Sequence, residues 1–359
     1  MNTNASTATD RLPEDARDVL IAANPVAGSG KRWRAVELLC AELQRRDFHA
    51  RIIDSLDELE RETANLLGEG KLRVVVAAGG DGTAAEVVNR TPLGTPVAIF
   101  PLGTANLLAN YLGIEHDPVS VAEMIAEGHT EWLDAGQANG RLFLLMASVG
   151  FDAHVVHRLH AARQGHISPW SYAKPILQCI GSYEYPQLKV YCMPAKEAMD
   201  SNAAADASTF AGNSPEHRAS NDANWLPPIC CRWAFVFNLP RYGGGLNFAP
   251  TANGFDGRLD LCTFQRGGLL AGLRYLAAVV RGRHQGLSQF NSCQGERFRI
   301  EADDDVFYQL DGDVGGLLPL AIETLPRRLR VVVSHQWLLA KRNRSHFSSL
   351  DPSESKSDV

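Results

Sequence analysis

Leu72-Arg73-Val74-Val75-Val76-Ala77-Ala78-Gly79-Gly80-Asp81-Gly82-Thr83-Ala84-Ala85-Glu86-Val87-Val88-Asn89 decides the architecture of the chain. A β-branched run, Leu72-Ala78, stops at three glycines around one aspartate, and a helical segment, Ala84-Asn89, follows. The same alternation extends outward from Val19 to about Gly113. The runs Val19-Ala23, Arg51-Asp54 and Pro96-Phe100 read as strands, and Lys31-Arg46, Leu56-Leu67 and Ala105-Leu112 read as helices. In the first helix Trp33, Val36, Leu39, Cys40 and Leu43 recur at helical spacing. Strands alternating with helices predict an α/β layer with a mostly parallel sheet and flanking helices, whose ligands bind in the turns after the strands.

Beyond about Glu131 the texture changes to short extended runs divided by Gly, Pro and Asn. They are Leu142-Val149, Leu188-Cys192, Cys231-Asn238, Leu259-Phe264, Phe298-Glu301, Val306-Leu310 and Arg330-Ser334. This predicts a β-rich second domain, sandwich or barrel, with helices near Asp152-Ala162, Pro169-Ile180 and Leu269-Arg281. The expected organisation is a flexible N-terminus over 1–18, an α/β domain over 19–130, a β-rich domain over 131–334, and a C-terminal helix and tail over 335–359. Residues 195–226, rich in Ala, Asn, Ser and Asp, read as a surface insertion without a core, and the tail from Arg344 reads as disordered.

With 359 residues, 45% hydrophobic and 21% charged, the chain has the composition of a globular protein with two domains. A net charge of -6 argues against nucleic acid as the main partner. The seven cysteines are odd in number, dispersed and without a C-x-x-C pair, which points to a reducing cytoplasm. The first eighteen residues lack an apolar signal core, and no run reaches bilayer-spanning length, so a lipid substrate would be met by transient contact with the membrane from solution. The sequence leaves a homodimer open.

Three glycine loops carry the chemistry. Asn24-Pro25-Val26-Ala27-Gly28-Ser29-Gly30-Lys31 joins a strand to a helix, where backbone N–H groups and the Lys31 charge suit a phosphate; a plain connection fits the same residues. Gly79-Gly80-Asp81-Gly82-Thr83 can pass beneath a nucleotide, with Asp81 free to hold Mg²⁺; an Asp-capped tight turn is the simpler reading. In Pro101-Leu102-Gly103-Thr104-Ala105-Asn106, Gly103 permits close approach, and Thr104 and Asn106 offer hydrogen bonds to a ligand or a helix cap. Three such loops at successive strand ends share one crevice.

Taken together, Asn24-Pro25 with Gly28, Gly79 to Thr83 with Glu86 and Asn89, and Pro101 to Asn106 resemble the nucleotide-binding motifs of the diacylglycerol kinase catalytic-domain family. The resemblance continues through Gly150-Phe151-Asp152, Ala249-Pro250-Thr251-Ala252, Asp256-Gly257 and Asp311-Gly312-Asp313, covering roughly residues 19–334. It implies a nucleotide-binding α/β domain, a C-terminal β-sandwich, an active site in the cleft between them, and phosphorylation of a diacylglycerol-like or sphingoid lipid with ATP and Mg²⁺. The loops around Gly28, Gly80 and Gly103 would hold ATP, Asp81 would help bind Mg²⁺, Asp311 would take the proton of the lipid hydroxyl, and Asp313 would be its charged neighbour or a metal ligand. The family usually has Asp-Gly-Glu where this chain has Asp311-Gly312-Asp313. Bacterial members also carry an acidic residue where Phe255 stands, leaving Asp256 as the nearby carboxylate of any structural Mg²⁺ site. Without the resemblance, Asp311-Gly312 reads as a hairpin turn.

His154, His157 and His160 recur at intervals of three on a predicted helix and read as one of its faces more readily than as a metal site. Trp337-Leu338-Leu339 with Lys341, Arg342 and Arg344 fits either an anionic membrane surface or a terminal helix with a basic end. The competing functions are an NAD kinase, whose family also uses a Gly-Gly-Asp-Gly-Thr loop, and a catalytically weak regulatory protein that binds nucleotide or lipid.

Overall fold

The computed structural model describes residues 11–24, 30–161, 183–195 and 225–348. Its chain divides into two units, 1–132 with 329–359 and 133–328. The first unit contains β1 (Asp18–Ala22), α1 (Gly30–Gln44), β2 (His49–Ile53), α2 (Leu56–Gly68), β3 (Leu72–Gly79), α3 (Asp81–Arg90), β4 (Pro96–Pro101), α4 (Leu107–Tyr111) and α5 (Pro118–Glu127). Its strands run in the order β2-β1-β3-β4, all parallel. From Leu72 to Ala78 every side chain of β3 is buried, which is how a strand covered on both faces reads in sequence. Gly79 pairs with Pro101, so the loops that follow β3 and β4 leave the sheet side by side.

Two features of this unit lie outside the expected pattern. The sequence reading omitted α5, although Asp117 caps it by accepting the Ser120 N–H at 2.9 Å, Pro118 opens it, and Gly128 closes it at φ +69°. The expected flexible N-terminus is docked from Arg11 onward: Leu12 and Ala16 are buried, and Leu12 N–H donates to Gly128 O. Arg73, buried within the apolar run of β3, donates to the carbonyls of Leu12, Pro13, Ile125 and Ala126 and ties both features to the sheet.

The chain enters the second unit along β5 (Thr130–Ala138) and continues through β6 (Arg141–Phe143), β7 (Met146–Val149), α6 (Phe151–Ala161), β8 (Leu188–Met193), β9 (Ile229–Cys231), β10 (Trp233–Phe237), β11 (Arg241–Tyr242), β12 (Leu246–Asn247) and β13 (Leu259–Phe264). There follow α7 (Leu269–Val280), β14 (Phe290–Gly295), β15 (Arg297–Ala302), β16 (Phe307–Leu310), β17 (Asp313–Leu317), β18 (Leu320–Val332) and α8 (His335–Ser348). One antiparallel sheet has the order β14-β13-β10-β7-β16-β17. In the other, the start of β18 pairs with β15, then β8, then β9. Alternate side chains of both sheets meet in one core, with Val149, Val236, Leu261 and Leu310 from the first and Val190, Phe298, Ile300 and Ile322 from the second. This is the expected sandwich.

The domain boundary differs from expectation because β18 changes partners. Its start pairs with β15, while Arg330 and Val331 pair in parallel with Pro96 and Val97 of β4, so the chain rejoins the first unit at Leu329 rather than after 334. Helix α8 continues past Arg344 to Ser348. The expected helix at 169–180 and nearly all of the 195–226 insertion lie outside the described residues.

Candidate active site

The ends of β3 and β4 form a backbone junction. A Cβ on Gly103 would stand 2.5 Å from Gly80 Cα and 2.6 Å from Asn106 Oδ1, so the two loops pass each other at a distance only glycine allows. Leu102 N–H donates to Gly79 O at 2.9 Å. Asp81 adds a second tie, since its Oδ2 and Oδ1 accept the N–H groups of Leu107 and Leu108, both at 3.0 Å, and cap α4. Asn106, buried at φ +47°, accepts from Gly103 N–H and donates to Gly103 O.

A hollow beside this junction is lined by Asn24, Arg32, Trp33, Gly79, Gly80, Thr83, Leu102 and Gly103. The loops after β3 and β4 and the residues on either side of the first loop, Asn24 and Arg32, border this one hollow, with a division of labour the sequence does not show. Asn24, Gly79, Gly80, Thr83 and Gly103 face the hollow, whereas Asp81 and Asn106 build the loops. The cation on the lining is Arg32, with Gly30 and Lys31 exposed in the first turn of α1 and Thr104 exposed in the loop after β4. Gly82 sits in the first turn of α3, Glu86 is half-buried one turn further on, and Asn89 donates to Ala85 O. Pro25 and Gly28 lie outside the described residues.

In the second unit Asp311 and Gly312 have φ of +52° and +92° and form the two-residue hairpin between β16 and β17. The Asp311 carboxylate turns onto β7: Leu144 N–H donates to Oδ2 at 2.7 Å, and Leu145 and Met146 donate to Oδ1 at 2.8 and 2.9 Å. This backbone-anchoring role was absent from the sequence reading. Asp313 is half-buried, with Arg141 3.7 Å away.

Gln309 links the turn to a second carboxyl. Its Oε1 accepts Gly312 N–H at 2.7 Å, while its Nε2 donates to Ser148 Oγ at 2.9 Å and Asp152 Oδ2 at 3.1 Å. Ser148 Oγ (2.6 Å) and Tyr242 OH (3.0 Å) also donate to Asp152 Oδ2. Burial pushes the Asp152 carboxyl above its ordinary range, against these three hydrogen bonds, which favour the anion. Asp152 stands at the edge of a pocket otherwise lined by Phe151, Val155, Trp233, Phe235, Tyr242, Leu246, Phe248, Phe264 and residues of α7. Spacing in the sequence could not have assembled this group, because Ser148, Asp152, Tyr242 and Gln309 come from four separate elements and loops.

Metal ligands are sparse. Among the described residues no group of three His, Cys, Asp or Glu is placed to hold an ion. Asp256 accepts Arg258 N–H at 3.0 Å, and burial, helped by Asp260 and Asp134, raises its carboxyl to about 6. Asp134 accepts from Gly257 and Arg327 N–H and is engaged in holding that loop. A Mg²⁺ site resting on Asp256 thus lacks a ligand set here, and both oxygens of Asp81 accept backbone N–H groups of α4. His154 and His157 pack on Phe307, with His154 also against Tyr183, as members of an aromatic helix face.

The diacylglycerol kinase catalytic-domain model matches residues 18–138, and the YegS C-terminal NAD kinase beta sandwich-like domain model matches residues 230–333. Residues 18–138 thus form a diacylglycerol kinase catalytic domain, followed by a domain of the YegS C-terminal type. The diacylglycerol kinase of Bacillus subtilis is 25% identical over 267 residues, 72% of this chain and 77% of that protein. The diacylglycerol kinase of Staphylococcus saprophyticus is 24% identical over 314 residues, covering 86% and 92%. A crystal structure of a diacylglycerol kinase from Bacillus anthracis shares the fold, with a TM-score of 0.57 and 18% identity over 89% of this chain and 98% of that one.

Proposed function

We propose that this lipid kinase transfers the γ-phosphoryl group of ATP to a hydroxyl of a diacylglycerol-like or sphingoid lipid. The observation that carries the reading is the polarity of the pocket in the second unit: aromatic and aliphatic walls with one carboxyl, Asp152, at the edge. A lipid with a hydroxyl at one end of an apolar body matches that asymmetry. The hollow at Gly79, Gly80 and Gly103, with Arg32 on its wall, suits the phosphates of ATP. Mg²⁺ carried on those phosphates would neutralise their charge, and Asp81, which caps α4 with both oxygens, is the carboxylate these loops would offer it through remaining lone pairs.

Asp152 is the better proton acceptor of the two candidates. Burial raises its affinity for a proton, as a general base near neutrality requires, and it borders the pocket where the hydroxyl would lie. Both oxygens of Asp311 are held by backbone donors that stabilise the anion, so its part is to fix the Leu144–Met146 segment and, through Gln309, the position of Asp152. As the hydroxyl oxygen bonds to the γ-phosphorus, its proton passes to Asp152 and ADP departs.

The test is phosphorylation with labelled ATP and Mg²⁺, offering total lipid extract or NAD as acceptor. Lipid should be labelled and NAD should not. Asp152→Asn keeps the size of the side chain and one acceptor oxygen but removes the proton-accepting carboxylate, so turnover should fall by roughly 10²–10⁴-fold with ATP affinity unchanged. Asp311→Asn should lower turnover and melting temperature together. Full turnover in Asp152→Asn, or labelled NAD without labelled lipid, would overturn the reading.

A further inference from the structure

Helix α7 faces in two directions. Gly272, Leu273, Tyr275, Leu276 and Val279 line the apolar pocket, and Tyr275 and Val279 are buried. On its other side Leu270 is 82% exposed and Val280 61%, with Leu269, Leu273 and Leu276 exposed beside them. These five are among eleven exposed large hydrophobic side chains in the described residues, so nearly half of that surface lies on one twelve-residue helix. Positions 270, 273, 276 and 280 are separated by steps of three and four and form a single ridge, with Leu269 beside its first member. Leu273 and Leu276 belong both to the pocket wall and to the ridge.

Charge identifies what covers the ridge. From Leu261 to Gly295 there is no Asp or Glu, while Arg266, Arg274, Arg281 and Arg283 are all present and exposed, in a chain whose net charge is -6. An apolar ridge among arginines matches an anionic phospholipid surface, which offers acyl chains below and phosphates above. At twelve residues α7 is too short to cross a bilayer. On the C-terminal helix Leu339 is the exposed large hydrophobic among the described residues. Trp337 donates to Tyr111 O and packs at Gly113, Leu338 is buried, and Lys341 pairs with Glu131.

We propose that α7 docks the protein on anionic membranes, with Leu270, Leu273, Leu276 and Val280 in the headgroup–acyl boundary and Arg274, Arg281 and Arg283 on lipid phosphates. Substrate then leaves the bilayer along the Leu273–Leu276 edge and enters the pocket without its chain crossing water. The inference deepens the lipid-kinase reading and rests on it for the identity of the substrate.

The experiment is flotation of the full chain with phosphatidylglycerol–phosphatidylcholine vesicles or pure phosphatidylcholine vesicles, without ATP, beside turnover of a water-soluble short-chain diacylglycerol. Wild type should bind the anionic vesicles and lose them in high salt. The double variant Leu270→Glu, Val280→Glu should lose at least tenfold in vesicle binding while keeping the wild-type melting temperature and rate on the soluble substrate; Arg281→Gln, Arg283→Gln should weaken the salt-sensitive part. Unchanged vesicle binding in the glutamate variant overturns docking through α7. So does its loss of activity on soluble substrate, or a wild-type dimer that it dissociates, which would make the ridge a subunit interface. Vesicle binding through α7 with no lipid phosphorylated would instead sink the lipid-kinase reading alone.

Discussion

Asp260 is 4% exposed in β13, where its oxygens accept from Thr251 Oγ1 at 2.6 Å and from Gln294 Nε2 at 3.2 and 3.3 Å. Burial raises its carboxyl above the ordinary value of 3.8, against those two partners, which favour the anion. Between the ordinary and the raised value the folded state binds more protons than the unfolded state, so stability falls as pH rises through that window and stays lower above it. Asn at 260 does not titrate, and its loss of charge also relieves Asp256, whose carboxyl Asp260 helps to raise. The melting temperature of Asp260→Asn minus that of wild type should therefore climb as pH rises from about 4 to 7, followed by circular dichroism. A difference that stays flat across this range would refute the assignment. At this scale the sequence yields residue types but not partners. Asp311-Gly312 was legible as a hairpin because two positive φ values suit Asp and Gly, yet nothing in the local sequence announces that the carboxylate reaches three N–H groups more than 160 positions away.

The loops that end β3 and β4 act as one element, because Gly80 and Gly103 touch through their backbones and Asp81 joins them through α4. Gly103→Ala puts a methyl 2.5 Å from Gly80 Cα, and a backbone neighbour cannot swing aside as a side chain could. Such overpacking should cost about 1–3 kcal/mol of stability. Nucleotide affinity, read by calorimetry, should weaken more than stability predicts, since the hollow lies along this contact. Unaltered ADP binding in the alanine variant would mean that the junction does not shape the nucleotide site. This part of the fold was legible because a parallel strand buried on both faces writes a continuous apolar run, with glycine at the end of β3 and two residues past the end of β4. Helix α5 was not, because it is short and its apolar residues follow so closely on α4 that Asp117, Pro118 and Gly128 were the usable signals. The partner change of β18 was hidden for another reason: its thirteen residues form one extended run, and only the pairing with β15 and then β4 divides it.

At the scale of the whole chain, each unit carries one of the two candidate pockets. A ligand stabilises the segments it touches against local opening, so the two substrates should protect separate stretches of backbone from hydrogen exchange. ADP should slow exchange at Gly79–Thr83 and Leu102–Leu108, where glycine loops and the first turn of α4 surround the hollow. Dioctanoylglycerol should slow exchange in α6, β10 and α7, whose side chains line the apolar pocket. Asp152→Asn should leave the ADP pattern intact and weaken the lipid pattern, because the variant changes the polar edge of one pocket and nothing in the other. Protection of β10 and α7 by ADP alone, with the glycine loops unaffected, would reverse the assignment of nucleotide and lipid to the two units.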